Sequence, residues 1–232
     1  MADHFVTQVA SVSALAEPAR RALYLFVVAQ PEPVSRDQAA AGTGFPRHTA
    51  KFHLDRLVDE GLLQTEFRRL SARRGPGAGR PSKLYRRAER EVAVTLPERH
   101  YDLAAQILAG AVEEATETGT PVLEAVQRAA ATTGQRLGAA ARATSTGSGR
   151  DPEARLAAVA GALTAQGYEP RRGADTLLLT NCPFHALARA HTTLVCGMNL
   201  ALITALLDEQ ENSDLTACLD PGDDRCCVTI NR

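Results

Sequence analysis

The order of helical patterns and chain breakers in the first 90 residues constrains the fold more than any other feature. Apolar residues recur at helical spacing in successive segments, and proline or glycine residues separate these segments. The predicted helices cover residues 12–29, 35–41 and 46–60, and the predicted strands cover residues 62–67 and 83–86. Three helices followed by a two-stranded hairpin predict a winged helix-turn-helix.

The charge is distributed unevenly between the two ends of the chain. The net charge of −1 combines 15 Lys and Arg against 9 Asp and Glu in residues 1–90 with 11 against 18 in residues 91–232. A basic N-terminal part and an acidic C-terminal part indicate that only the former meets a polyanion. Chance variation in solvated charge is the alternative explanation for this asymmetry.

The third predicted helix has the features of a DNA-recognition helix. In a helix-turn-helix the second helix of the pair enters the major groove, and its N-terminal residues face the base edges. Ala50, Leu54 and Leu57 are spaced to face the core. The opposite, outward face carries the predicted base or phosphate contacts, which are Arg47, His48, Lys51, Phe52 and, for backbone phosphate, Arg56.

The hairpin after this helix is strongly basic. Residues 66–90 hold 9 basic and 2 acidic residues around a glycine-rich tip. Such a charge run alone is typical of a solvated surface hairpin, but its place directly after three helices favours DNA contacts. The predicted contacts in this wing are Arg73, Arg74, Arg80 and Lys83.

The middle of the chain has a different character. Residues 99–116 and 121–137 predict two alanine-rich amphipathic helices, and residues 143–150 resemble a flexible linker. The helices lack the bulk for an independent core, so we expect a homodimer through residues 97–140, which also suits a two-fold operator. The predicted division is 1–95 for DNA binding, 96–150 for dimerisation and 151–232 for sensing.

The C-terminal region combines helices, strands and every cysteine of the chain. Its pattern predicts helices at 152–166 and 185–207, with strands at 168–172, 176–180, 215–219 and 225–230. The fold class is therefore mainly α with α+β parts. The five cysteines are Cys182, Cys196, Cys218, Cys226 and Cys227. An odd number in a chain without a secretion signal argues against a disulfide framework, and their clustering favours a metal or redox site.

The chemistry of this cluster leaves several assignments open. Thiolates suit iron–sulfur clusters or zinc, although free cysteines are often only small buried apolar residues. Alternation along the predicted last strand places Cys226 and Cys227 on opposite faces, so we do not expect one ion to bind both. His185 lies one helical turn from Cys182 and could reach the same site, and Cys218 lies on the facing strand.

Several of these segments carry a family resemblance. LAEPARRALYLFV, FPRHTAKFHLDRLVDEGLL and GAGRPSKLY resemble the ArsR/DeoR-like winged-helix regulators over about residues 10–90. The Gly-Arg-Pro-x-Lys-x-Tyr form at residues 79–85 is similar to the wing of SufR-type repressors, which control iron–sulfur cluster assembly genes. Cys182-Pro183, Cys196 and Cys226 match in order the cluster ligands of that family.

This resemblance implies a repressor that binds duplex operator DNA and an iron–sulfur cluster, with a 4Fe-4S cluster favoured. The chain departs from the family pattern in the length of the first interval and in the late Cys226-Cys227 doublet, so Cys227, His185 and Cys218 stay secondary ligand candidates. The alternatives are a regulator that senses zinc or a small ligand and, less favoured, a thiol redox enzyme. We find no motif of a nucleotide-binding or hydrolytic enzyme, no membrane span and no secretion signal, and we expect a cytoplasmic regulator without enzyme activity.

Overall fold

The computed structural model describes residues 2–69, 81–144, 152–173, 175–210, 214–222 and 225–232. These residues form two compact units, Met1–Val94 and Thr95–Arg232. The first unit is a helical domain with a small sheet, and the second combines helices with an antiparallel sheet. The prediction of a mainly α fold with α+β parts is confirmed.

The described residues of the N-terminal unit form four helices and three strands. Its elements are α1 (Ala2–Ala14), α2 (Pro18–Val28), β1 (Val34–Ser35), α3 (Arg36–Thr43), α4 (Arg47–Asp59), β2 (Leu63–Arg68) and β3 (Ser82–Arg87). The strands are antiparallel in the order β1-β3-β2. Ala50, Leu54 and Leu57 of α4 are fully buried, as their spacing predicts.

The turn between α3 and α4 follows from local chemistry. A capping box closes the start of α3, because the Ser35 hydroxyl accepts from the Gln38 backbone N–H while the Gln38 side chain accepts from the Ser35 backbone N–H. Gly44 ends α3 with a φ of 76°, a left-handed conformation that suits glycine. The chain thereby reverses within three residues and starts α4 at Arg47.

The predicted helix over residues 12–29 is wrong at its N-terminal end. The chain breaks there into α1, which ends at Ala14, and α2, which begins at Pro18. Pro18 suits a first helical turn because it needs no hydrogen bond there, and the Glu17 side chain caps α2 by accepting from the Arg20 N–H at 2.7 Å. The sequence analysis also missed the short strand β1, which pairs with β3.

The C-terminal unit has five helices and four strands within its described residues. These elements are α5 (Tyr101–Thr118), α6 (Val122–Thr144), α7 (Pro152–Ala165), β4 (Pro170–Arg172), β5 (Thr176–Leu179), α8 (His185–Ala190), α9 (Thr192–Asp208), β6 (Thr216–Leu219) and β7 (Val228–Asn231). The sheet is antiparallel in the order β4-β5-β7-β6. Helix α9 is the centre of the core, with most of its residues buried.

The alanine-rich helices find a partner inside this unit. Helix α6 packs along α9 so closely that a Cβ atom at Gly134 would overlap the Leu202 carbonyl oxygen, and one at Gly138 would lie 2.6 Å from the Leu206 carbonyl oxygen. Gln210 strengthens the contact by donating to the Gly138 carbonyl at 3.1 Å. Small residues thus compensate for the lack of bulk by close approach of the two backbones.

Three boundaries in the C-terminal unit differ from the predictions. The helix predicted over residues 185–207 is divided at His191 into α8 and α9. Strand β7 begins only at Val228, so Cys226 and Cys227 precede it. Helix α6 extends to Thr144, into the predicted linker, whose residues 145–150 lie outside the described part of the chain. Within the described residues, no helix combines the length and the apolar character needed to cross a membrane.

Candidate DNA-binding surface and cysteine cleft

Helix α4 presents one continuous outward face. The five residues predicted to contact DNA from this helix, which are Arg47, His48, Lys51, Phe52 and Arg56, are all exposed. Phe52 is 65% exposed. An exposed ring beside several cations is suited to contact with a nucleic acid.

Arg47, the first residue of α4, is held by Asp37 of α3. Its Nε donates to Asp37 Oδ1 at 2.7 Å, and its Nη2 donates to Oδ2 of the same carboxylate. The hydrogen bond from Arg47 lowers the pKa of Asp37 and raises that of the guanidinium, so both groups stay charged at neutral pH. This ion pair joins the two helices of the helix-turn-helix.

Asp55 connects α4 to the wing. Its carboxylate accepts from Lys51 Nζ at 2.8 Å, from Lys83 Nζ at 2.6 Å and from the Tyr85 hydroxyl at 2.8 Å. Partial burial raises the pKa of Asp55, but the three hydrogen bonds outweigh it and lower the pKa to about 2. Burial and the hydrogen bond to Asp55 in turn raise the pKa of Tyr85.

The contacts of Asp55 explain part of the basic hairpin motif. Lys83 and Tyr85, the Lys-x-Tyr of that motif, both reach Asp55, and the Lys83 ammonium also lies 5.2 Å from the centre of the Tyr85 ring. Lys83 therefore has a structural role besides its predicted DNA contact. The other predicted wing contacts, Arg73, Arg74 and Arg80, lie outside the described residues.

Sequence reasoning missed the carboxylates that hold the cations of α4. Arg56 pairs with Glu60 at 2.5 Å, in addition to the Arg47–Asp37 and Lys51–Asp55 pairs. The spacing of four residues could have revealed the pairs within the helix, Lys51–Asp55 and Arg56–Glu60. Asp37 and Arg47 are ten residues apart on different helices, so no local spacing indicated their contact.

In the C-terminal unit, four cysteines line one cleft. Cys182 lies between β5 and α8, Cys196 on α9, and Cys226 and Cys227 just before β7. Together they border an open cleft of about 470 Å³. The structure thus brings the three predicted ligands Cys182, Cys196 and Cys226 to one place.

The two cysteines of the doublet do not point to opposite faces of a strand. The alternation expected for Cys226 and Cys227 applies only within a regular strand, and both residues precede Val228, where β7 begins. Cys226 is buried and Cys227 half-buried, and both line the cleft. The premise of the alternation argument, a regular strand through Cys226 and Cys227, therefore does not hold, and whether one ion binds both cysteines stays a prediction.

The two other secondary candidates have different positions. His185 lines the cleft at the start of α8 and is exposed. Cys218 on β6 does not line it, and its thiol contacts the Thr229 hydroxyl at 3.2 Å and accepts from Asn231 Nδ2 at 3.1 Å. The register pairs Cys218 with Thr229 and Ala217 with Ile230, so Cys218 lies on the sheet face opposite the buried Ile230 side chain.

The thiols of the cleft are close enough to influence each other. A hydrogen bond with Cys226 and burial raise the pKa of Cys182 well above its ordinary range. A hydrogen bond with Cys182 lowers the pKa of Cys226, but a hydrogen bond with Cys227 and burial outweigh it and raise the pKa to about 12. Burial also raises the pKa of Cys196. These groups are therefore protonated at neutral pH, and a metal must displace their protons.

A buried polar chain lies behind Cys226. Asn199 of α9 donates from Nδ2 to the Cys226 sulfur at 3.1 Å, and its Oδ1 accepts from the Tyr168 hydroxyl. Asn199 and Tyr168 are each 1% exposed. An amide that is buried in this way fixes the position of the sulfur and stabilises negative charge on it.

The residues of the cleft suit a soft metal group. Four thiols are the donors that iron–sulfur clusters and zinc prefer, and Arg189 and Arg225 at the rim can offset the charge of thiolates. The described residues hold no group of three or more His, Cys, Asp or Glu side chains already arranged around a single metal ion. The donor types suit either zinc or an iron–sulfur cluster.

The comparisons with known proteins concern the N-terminal unit. Residues 15–66 match a family model described as a helix-turn-helix domain. That segment contains α2, α3, α4 and most of β2, including the exposed face of the recognition helix. No curated protein and no solved structure matches the chain in these comparisons. The helix-turn-helix match supports a DNA-binding transcriptional regulator.

Proposed function

We propose that this protein is a repressor whose affinity for duplex operator DNA is controlled by an iron–sulfur cluster in its C-terminal unit. The cluster ligands are Cys182, Cys196 and Cys226, and Cys227 is the fourth thiol available to the site. Helix α4 and the basic wing supply the DNA contacts, as in the SufR-type regulators that the sequence resembles.

The convergence of the cysteines carries this proposal. Cys182 and Cys226 are 44 positions apart and lie on separate loops, and Cys196 lies on α9, yet all three line one cleft. Cysteines that served only as small apolar residues would have no reason to share a solvent-accessible cleft. Soft thiolates gathered in this way are typical of a metal centre.

Helix α9 is a physical route from the cleft to the proposed dimer interface. It carries Cys196, and it packs against α6 at Gly134 and Gly138, where the carbonyl oxygens of Leu202 and Leu206 come close to the α6 backbone. A displacement of α9 is therefore transmitted to α6. The outward surfaces of α5 and α6 keep exposed apolar side chains, Val112, Val122 and Leu123, which support a homodimer through these helices.

Cluster binding would then bias the arrangement of the two DNA-binding units of a dimer. When bound, the cluster supplies a redox-sensitive link between segments that are otherwise held only by packing and hydrogen bonds. A coupling of about 1–3 kcal/mol, the usual range for allostery, changes DNA affinity by about 5- to 150-fold.

Anaerobic purification tests the metal centre directly. Iron and acid-labile sulfide should be present together, with visible absorbance that oxygen removes. Cys182→Ser, Cys196→Ser and Cys226→Ser should each lose most of the iron and absorbance, whereas Cys218→Ser, the matched control outside the cleft, should keep both. A colourless protein with stoichiometric zinc would replace the cluster by the zinc-sensing alternative.

Two further measurements test the regulator. DNA affinity should differ between the cluster-loaded and cluster-free protein, measured on the same duplex at the same salt concentration. Light scattering at micromolar concentration should give twice the chain mass of 24.7 kDa. A monomer mass that added DNA does not change would contradict the dimer, and equal affinities of the two forms would contradict control by the cluster.

A further inference from the structure

Asp37 contacts only one edge of the Arg47 guanidinium group, and this leaves the other edge for a possible DNA contact. A guanidinium group carries five N–H donors in one plane. Asp37 engages Nε and Nη2 of Arg47, which is one edge of that plane. The donors of Nη1 and the remaining donor of Nη2 form the outer edge, which has no hydrogen bond to the described residues, and 68% of the side chain is exposed.

Asp37 is itself firmly placed. It lies in the first turn of α3, where the capping box of Ser35 and Gln38 closes the helix and the helix dipole favours a carboxylate. The short Asp side chain has few rotamers, so its two oxygens fix the plane of the guanidinium. The pair thereby reduces the side-chain entropy that Arg47 has to lose when it binds a ligand.

We propose that Asp37 is a positioning residue that orients Arg47 to read a guanine in the major groove. The outer edge of a guanidinium matches the O6 and N7 acceptors of guanine, the commonest specific contact between protein and DNA. Arg47 is the first residue of α4, and the start of a recognition helix faces the base edges. This inference rests on DNA binding through α4, as in the proposed function.

The other ion pairs of the helix do not share this arrangement. Lys51 is a point charge without a planar edge, and its partner Asp55 also holds Lys83 and Tyr85. Arg56 pairs with Glu60 within the same helix, near its C-terminal end and away from the expected base contacts. The Arg56–Glu60 pair therefore offers a control with the same charge change.

Selection of bound sequences from a randomised duplex library tests the inference. The full-length parent should select a site with guanine at a defined position. Arg47→Ala should weaken that preference by about 5- to 150-fold, the value of a good bidentate base contact. Asp37→Asn should weaken it on the order of fivefold, while affinity for unrelated DNA rises because a charge that repels phosphate is removed.

Two variants separate positioning from charge. Glu60→Gln should also raise affinity for unrelated DNA but should leave the base preference unchanged. Asp37→Glu keeps the charge and displaces the carboxylate, so it should weaken the guanine preference without raising the affinity for unrelated DNA. Circular dichroism of each variant ensures that the selected sequences are compared among folded proteins.

Three results would overturn the inference. Arg47→Ala could reduce affinity for all sequences equally and lower the salt slope by about one, which would make Arg47 a phosphate contact. Folded Asp37→Asn could select the same bases as the parent, which would make Asp37 unnecessary for orientation. If the parent bound no duplex, both the inference and the proposed DNA-binding function would fail.

Discussion

The two units of this protein hold their functional side chains in opposite ways. The three cations of α4 in the N-terminal unit lie at the surface, and each is paired with a carboxylate of the same unit, as Arg47 is with Asp37. The C-terminal unit buries three thiols of its cleft, Cys182, Cys196 and Cys226, at 8%, 6% and 1% exposure, and the Asn199 amide donates to Cys226.

This contrast suits the two roles that we propose. The surface pairs of Lys51 and Arg56 are individually weak and can be exchanged for contacts with DNA at little cost, whereas Asp37 engages one edge of Arg47 and leaves the other edge for DNA. Buried thiols are expensive to ionise, and those of the cleft come from segments far apart in the sequence, so a change in what they bind alters the packing of several elements. A reading surface needs the first property and a sensor needs the second, and after these proposed roles we call residues 1–94 the reading unit and residues 95–232 the sensing unit.

The largest expected effect concerns charge in the wing. The triple variant Arg73→Ala, Arg74→Ala, Arg80→Ala removes three positive charges from the reading unit. Because each lost phosphate contact reduces the salt slope by about 0.9, the slope should fall by about 2.7, and affinity at low salt should fall by about 100-fold. Fluorescence anisotropy at several salt concentrations measures both quantities.

The control for the wing variant removes charge from the other unit. Arg171→Ala changes an exposed residue of β4 and should leave DNA affinity and salt slope within twofold of the parent values. An equal loss in both variants would break the division into a reading unit and a sensing unit. An unchanged affinity of the triple variant would remove the wing from the DNA-binding surface.

The next effect concerns the packing of α6 on α9. Gly134→Ala would place a Cβ atom against the Leu202 carbonyl oxygen, and because that atom is backbone, α6 and α9 must separate. We expect the free energy of unfolding to fall by about 1–3 kcal/mol. Hydrogen exchange followed by mass spectrometry should locate the loss of protection in the C-terminal unit, with the reading unit unaffected.

Gly161→Ala is the matched control for this substitution. Gly161 lies within α7, and a Cβ atom there would meet nothing within 4 Å. Alanine favours the helix over glycine, so stability should rise by up to about 1 kcal/mol. If Gly134→Ala were as stable as Gly161→Ala, then close packing of α6 on α9 would not be the link between the cysteine cleft and the proposed dimer interface.

The reading unit was largely predictable because its signals are local. The helical spacing predicted that Ala50, Leu54 and Leu57 are buried and that Arg47 and Lys51 are exposed, as the structure shows. The local pattern did not reveal α1 or the break at Pro18, since apolar residues continue at helical spacing across that break. The ion pair between Asp37 and Arg47 depends on the angle between α3 and α4, and residue spacing within a single helix does not predict that angle.

The sensing unit was less predictable because its site is assembled from distant segments. The cysteine count and order indicated a site, but the place where β7 begins decides whether Cys226 and Cys227 share a cleft. That boundary depends on pairing with β5 and β6 rather than on the residues of the last strand alone. The buried partners Asn199 and Tyr168 gave no sequence signal, since polar residues of these types are usually exposed or only partly buried.

The smallest effect concerns Asp55, and it separates the two units by their response to acid. Asp55→Asn removes the charged acceptor of Lys51, Lys83 and Tyr85, so the reading unit should lose about 1–2 kcal/mol of stability at pH 7.

The pKa of Asp55 is lowered from 3.8 to about 2, and its contribution is therefore complete above pH 4 and disappears as the pH falls towards 2. Urea unfolding at pH 7 and pH 3 should show the difference between parent and variant shrinking at the lower pH. Hydrogen exchange should assign that difference to residues 1–94, because Lys51, Lys83 and Tyr85, the partners of Asp55, all lie in that unit. If the stability difference between parent and variant did not change with pH, Asp55 would stabilise the unit through packing rather than through its charge. The contrast between surface ion pairs in the reading unit and buried packing in the sensing unit would then not hold at this residue.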